Sequence, residues 1–371
     1  MTLTSNCQET AMLLIITLLA LSAQSPSVSE NFPTVGSEAA IVAQNEFRSW
    51  LGSAAKAPLM PLHVEYTVSA SLALIDPGGS VEATFEGTMV SEVQSFTKMY
   101  HHLEGVALLM GEKQVPVEIS LVLDNETFWI SLQTQGLHVI PEDGIYLTGN
   151  MSKLQEVYQF GLDFHKWSAS KSKMQEGDAD LLLGVAFTTF MQSLPDEFGA
   201  LLHPTGALFY GMAPFTCREF SMGEGVVKAS MTLDTQPEAF VVEVLAQWYQ
   251  FWDGFMGSSS QEDRVSKAYR TFGDYLNFTL RFDVETQAPL SLSLDFSVDA
   301  ETLGLGTKEE SMSFSAEVQH LAHSLDTNRA RLITAPHPDR KAMEVTPFLE
   351  IALSEMRAEK AEMESAADED F

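Results

Sequence analysis

The stretch Leu121–Gly136, LVLDNETFWISLQTQG, admits few folds. Leu121 and Leu123 stand two apart, Asp124-Asn125-Glu126 interrupts, and Phe128, Ile130 and Leu132 then alternate with Thr127, Trp129, Ser131 and Gln133. On a helix that spacing would scatter apolar groups around the whole girth. On a strand it collects them on one face, and the polar break makes the pair of runs a β-hairpin. Three roles for that face stay open: the outer surface of a glycosylated hairpin, since Asn125-Glu126-Thr127 is an acceptor triplet; ordinary sheet core; or one wall around an apolar guest. The expected cost of Ile130→Asp is a few kcal/mol whether the face meets core or cavity.

The same period recurs along the chain. His63–Leu74 carries Val64, Tyr66, Val68 and Leu72 in phase, and Val81–Val90 carries Val81, Phe85 and Met89, with the turn sequence Asp76-Pro77-Gly78-Gly79 between them. Phe96–Leu103 alternates weakly and Val115–Leu123 cleanly. Further strands are expected at Thr216–Met222, Val226–Asp234, Leu276–Val284, Leu290–Val298 and Met312–His320. Helical stripes interrupt them: Ala40, Ala43, Phe47, Trp50 and Leu51 after Ser37; Leu154, Val157, Gly161 and Phe164; then Leu183, Phe187, Phe190 and Leu194. Short strands split by turns, with separate helices, predict an α+β fold built on an antiparallel sheet.

One segment is more apolar than a surface helix permits. In Asp234–Gly257 the pair Thr235/Glu238 forms a capping box, Pro237 suits the first turn and Gly254 the end. Only Glu243, Gln247, Gln250 and Asp253 make a narrow wet stripe. Val241, Leu245, Trp248, Tyr249, Phe251 and Trp252 cover most of the rest, so the helix is either a central core element or a lid over an apolar cavity.

Charge excludes other classes of partner. The chain has 21 basic and 51 acidic residues, a formal net charge of −30, which repels phosphate backbones and anionic membrane surfaces; no nucleic-acid partner is expected. Hydrophobic residues make up 45% of the chain, enough for a large core. Ala11–Ala23 is an apolar run too short to span a bilayer and ends in small residues, as an export signal does, although no Lys or Arg precedes it. The expected division is a signal peptide at 1–23, a linker at 24–36, a ligand-binding domain at 37–340, and an acidic C-terminal helix or tail at 341–371. The expected location is periplasmic or extracellular.

Sites of chemistry are sparse. The sequence has no G-x-S-x-G elbow, no H-E-x-x-H, no phosphate loop ending in Gly-Lys-Ser/Thr and no Cys-x-x-Cys, and Leu303–Glu310 (LGLGTKEE) reads as a hairpin turn. Cys217, the one cysteine beyond the signal, reads as a buried inert thiol. His320/His323 and His101/His102 have spacings that in a regular strand put the two rings on opposite faces, against metal binding. No catalytic residue, metal or cofactor is assigned.

The order of an apolar leader, the helix EAAIVAQNEFRSWL, a long meander containing VEATFEGTMV and LVLDNETFWISL, intervening helices, and late strands LNFTLRFDVETQAPLSLSLDFSV resembles the periplasmic lipoprotein carriers of the LolA/LolB/LppX type. The resemblance covers roughly residues 37–325 as a pattern of elements and includes no short motif. It implies a curved antiparallel sheet forming an unclosed half-barrel, helices across its concave side, and an apolar cavity between. The function it points to is an exported, non-catalytic carrier of a lipid, a lipidated protein or another apolar ligand, making transient contact with a membrane or a membrane-bound partner. Ile119, Leu121, Phe128, Ile130, Phe278, Leu280, Phe296 and Phe314 are expected to line the cavity, with Trp248, Trp252, Phe255 and Met256 as its lid. A secreted scaffold with a solid core is the alternative, and a hydrolase with dispersed catalytic residues a third reading.

Overall fold

The structure is a computed structural model that describes residues 38–76, 79–109, 113–134, 141, 143–171, 195–211, 215–233, 276–285, 287–299, 301, 311–324 and 335–369. Its frame is one twelve-stranded open sheet. In chain order the strands are β1 (Leu62–Asp76), β2 (Gly79–Ser95), β3 (Lys98–Leu109), β4 (Lys113–Asp124), β5 (Thr127–Thr134), β6 (Ile145–Asn150), β7 (Phe215–Gly223), β8 (Val226–Leu233), β9 (Leu276–Asp283), β10 (Pro289–Asp299), β11 (Ser311–Ser324) and β12 (Met343–Glu344). Across the sheet they lie in the order β12-β6-β5-β4-β3-β2-β1-β11-β10-β9-β8-β7. Two meanders, β1–β6 and β7–β11, therefore meet along the β1/β11 seam. Every pairing is antiparallel except β12 on β6, so the sheet is mixed rather than purely antiparallel as expected.

The turns explain the meander. Asn125 adopts φ 49° at the β4–β5 turn, the left-handed region that Asn tolerates, and its backbone N–H donates to Thr97 O at 2.7 Å, tying this turn to the β2–β3 turn. Glu224 and Gly225, both at positive φ, close the β7–β8 hairpin in the same way. The β4–β5 register pairs Ile119 with Leu132, Leu121 with Ile130 and Leu123 with Phe128, so the Phe128 side lies with Val115, Val117, Ile119, Leu121 and Leu123, and Trp129 lies opposite with Val122.

Five helices accompany the sheet among the described residues: α1 (Glu38–Lys56), α2 (Met151–Lys171), α3 (Phe198–Leu202), α4 (Pro204–Gly211) and α5 (Thr346–Glu369). In α1, Ala40, Ala43, Phe47, Leu51, Ala54 and Ala55 are buried along one stripe, with Glu38 in the first turn and Lys56 in the last to suit the helix dipole. Phe47 packs against Phe220 and Trp50 edge-on against Phe282, with centroids 4.9 Å apart, so α1 covers the β7–β9 end of the sheet. Gln44 Oε1 accepts the backbone N–H of Cys217 on edge strand β7, occupying a donor that would otherwise be open to another strand.

The short helices are fixed by main-chain contacts. Gly199 of α3 sits so close to the Phe96 carbonyl that an added Cβ would come within 1.7 Å of its oxygen. In α4, Thr205 Oγ1 donates to Gln287 O at 3.1 Å, binding the helix to the β9–β10 turn. The acidic C-terminal segment forms α5, which packs on α2 through buried Leu353 and through Arg357, whose Nη2 lies 2.7 Å from Glu156 Oε1. Residues 183–194 and the Asp234–Gly257 segment, both expected to be helical, lie outside the described residues, as do residues 1–37 with the leader and the 303–310 turn.

Candidate functional site

Cross-strand register assigns nearly all the large apolar strand residues to one face. Starting from Val64, Tyr66, Val68, Ala70 and Leu72 on β1, it passes on one side through Phe85, Met89 and Val93 of β2, Met99 and Leu103 of β3, Val115–Leu123 of β4, Phe128, Ile130 and Leu132 of β5, and Ile145 and Leu147 of β6. On the other side it continues through Phe314, Ala316 and Val318 of β11, Leu292 and Leu294 of β10, Phe278, Leu280 and Phe282 of β9, and Val227, Ala229 and Met231 of β8. Away from the strand ends, no Lys, Arg, Asp or Glu among the described residues stands in register on that face. The opposite face is rich in hydroxyls and carboxylates: Thr67, Ser69, Ser71, Ser313, Ser315, Glu317, Ser291, Ser293 and Asp295 meet there. Asp295 is pushed up to about 6, first by burial and then by the neighbouring Glu317.

Two glycine-aromatic pairs shape the apolar face. Gly87 and Gly105 stand directly across from one another, and the ring of Phe85 lies over both, its Cζ within 3 Å of where either Cβ would be. Phe128 covers Gly149 in the same manner. Each ring lies along the sheet instead of standing up from it, because the glycines leave room for nothing else.

Cover over this face is uneven. Phe278, Leu280, Phe282, Phe85, Met99 and Leu123 are fully enclosed. Toward β4–β6, Ile119, Leu121, Leu132, Ile145 and Leu147 are only half-buried, and Ile130 is 37% exposed. The cost expected for Ile130→Asp is accordingly too high, since a side chain already wetted loses little more on becoming charged. Three polar atoms lie buried on the face without a hydrogen-bond partner: Tyr66 Oη, His101 Nε2 and Thr134 Oγ1. His101 Nδ1 is 3.0 Å from Ser91 Oγ across the β2/β3 pair. His203, between α3 and α4, is buried nearby. Its Nδ1 accepts the Thr205 N–H at 3.2 Å, which leaves Nε2 as the donor to Leu59 O at 3.4 Å. Burial pushes both imidazoles down to about 4, and for His101 the neighbouring His203 adds to the effect; both are neutral at pH 7.

A polar row crosses the other face. His102 Nδ1 lies 2.9 Å from Ser120 Oγ and its Nε2 3.6 Å from Glu104, while Ser131 and Gln133 both reach His337 Nε2, at 2.8 and 2.7 Å. Serine, imidazole and carboxylate in that order have the composition of a nucleophilic triad. The Ser120 and Ser131 hydroxyls are already engaged within the sheet by His102 and His337, however, and the bonds to His337 fasten the stretch before β12 to the sheet. Burial raises the Cys217 thiol to about 12, which leaves it protonated and inert.

His320 and His323 depart from expectation. The β1/β11 register slips at Glu65/Tyr66, and Leu321 is the extra residue, so the two rings share a side with Nδ1 of His323 3.1 Å from Nε2 of His320. His101 and His102 do point to opposite faces, toward Ser91 and Ser120. Among the described residues no group of three or more His, Cys, Asp or Glu stands where it would hold a metal ion, and no helix is long and apolar enough to cross a membrane.

The eight strand positions expected to line a cavity fall on the same face by register. Phe128, Phe278, Leu280 and Phe314 are buried, Ile119 and Leu121 half-buried, and Ile130 exposed. Phe296 is paired with Phe314 and Leu276 in register. Trp248, Trp252, Phe255 and Met256 lie outside the described residues. Sequence reasoning took Tyr66 only as one of an apolar stripe and His101 only as a ring turned away from His102, and it passed over His203. A polar residue in phase with an apolar stripe was the signal available for the first two; for His203 there was none, because its surroundings arise from long-range packing. The sequence matches no family model, and no curated protein matches it significantly.

Proposed function

We propose that the protein is an exported, non-catalytic carrier that holds a lipid, a lipoprotein acyl chain or another apolar molecule against the apolar face of the sheet, which curves as an unclosed half-barrel with its helices on the hollow side. The observation that carries this reading is the mismatch between that face and its cover. Large apolar positions recur on every strand from β8 to β6, yet those on β4–β6 stay partly open. A continuous apolar patch of this kind is unusual unless something occupies it. Burying an acyl chain there yields about 25 cal/mol per Å² with few polar contacts.

Lipid extraction of the purified protein followed by mass spectrometry is expected to find bound amphiphile. The stripped protein is expected to take up a fluorescent diphenylpolyene, and Ile130→Asp to lower that uptake at least tenfold while shifting the unfolding midpoint little, because that side chain is already partly wetted. A wild-type protein that carries no lipid and takes up no probe would leave a secreted scaffold with a solid core.

A further inference from the structure

We propose that Tyr66 and His101 form a polar anchor set into the apolar face, holding an uncharged, oxygen-bearing head of the bound amphiphile; this deepens the carrier reading and rests on it. Tyr66 is 2% exposed and its Oη has no partner, although its ring packs edge-on against His320. His101 Nε2 is likewise enclosed and unpartnered, its ring held from the other side by Ser91. A buried hydroxyl or ring nitrogen left unpaired is costly, so two on one apolar face mark a place where a further hydrogen-bonding group belongs.

Register places them. Tyr66 stands in the row with Met89 and Leu103, and His101 in the next row with Ser91 and Val64. They are thus two strands and one row apart, about 12 Å between Cα atoms by ordinary strand spacing and rise. A head with several oxygens, such as a glycerol monoester, spans more of that gap than a lone hydroxyl does. Charge selects the class. The face offers no cation away from its strand ends, so an ionised head would be buried without a counter-charge. An alcohol or ester oxygen accepts from the phenol; at the imidazole an alcohol donates or accepts according to which way Ser91 orients it, whereas an ester oxygen only accepts.

The test is competition for the stripped protein, at pH 7.5, between a fluorescent diphenylpolyene and dodecane, dodecanol, monododecanoylglycerol or dodecanoate. The expected order of affinity is monoester, alcohol, hydrocarbon, with about five- to tenfold per step from one added hydrogen bond, and dodecanoate no better than dodecanol. Tyr66→Phe removes a single oxygen and His101→Leu removes the ring nitrogens. Each is expected to lose one step of the preference, read relative to that variant's own uptake of the probe. If uptake is intact but hydrocarbon and monoester compete equally, or if neither variant alters the order, the anchor is overturned and water alone serves those groups. Preference for dodecanoate overturns the uncharged class. Absence of probe uptake in the wild type overturns the carrier reading and the anchor together.

Discussion

Gly105→Val is expected to abolish the native fold. A Cβ at Gly105 would lie 2.4 Å from the Glu86 carbonyl oxygen and 2.5 Å from Phe85 Cζ, and one at Gly87 would lie 2.3 Å from Glu104 O. The aromatic contact could relax by rotating the ring; the main-chain contact cannot without parting β2 from β3 near the middle of the sheet. The expected loss exceeds about 4 kcal/mol, beyond the usual range for a point substitution. Phe85→Ala, which removes an enclosed ring but leaves the strands paired, is expected to cost about 3–5 kcal/mol and still give a cooperative transition. Adding Phe85→Ala to Gly105→Val is expected not to restore folding, since the backbone clash remains. Circular dichroism and denaturant titration of the three proteins decide this, and a Gly105→Val midpoint equal to wild type would contradict the strand spacing described here.

Acid is expected to weaken the protein through His101 and His203. Both have folded values near 4 against an ordinary 6.5, so above pH 6.5 they are neutral in either state and contribute no pH dependence. Below 6.5 the unfolded chain takes up protons that the folded one refuses, and stability falls with pH until the folded imidazoles titrate near 4. Each contributes up to about 3 kcal/mol over that window, at about 1.4 kcal/mol per pH unit. Asp295 acts in the opposite sense: its folded value near 6 lies above the ordinary 3.8, so its penalty is present at neutral pH and is relieved as pH falls. It is partly solvated, which makes it the smaller contribution. Relief of repulsion among the surplus carboxylates also opposes the histidines, so the measurement is a difference. His101→Leu is expected to flatten the midpoint-against-pH curve between 6.5 and 4 relative to wild type. Parallel curves would mean that the imidazole is hydrated in the folded state.

The elements that sequence periodicity revealed are those whose inward positions are mostly large and apolar. β4 and β5 were legible residue by residue, as were β10 and β11, because large apolar residues fill most of the positions in phase, Thr134, Ala316 and His320 apart. β3 was faint since its inward row reads Met99, His101, Leu103, Gly105, Ala107; the glycine there serves Phe85 and the histidine faces Ser91, neither of which is visible from β3 itself. β6 escaped notice because it is short and its last inward position is Gly149, whose missing side chain is replaced by the ring of Phe128. The His320/His323 contact depends on the bulge at Leu321, a local irregularity that alternation conceals. The hydrophobic face was therefore legible, whereas its cover and its buried polar atoms depend on contacts between distant segments such as His203 and β3.

The seam between the two meanders has a consequence for how the chain is made. Ser71 of β1 bonds Ser315 of β11, 244 residues further along, at 2.7 Å. At roughly 5–20 residues per second, β1 leaves the ribosome some 10–50 s before its partner exists. During that interval β2–β6 can assemble by local hairpins, but β1 presents a fifteen-residue unpaired margin beside an exposed apolar surface. The yield of this protein in a cell is thus governed by what shields that margin while the second half is still being translated, and slowing elongation between β6 and β11 should lower it.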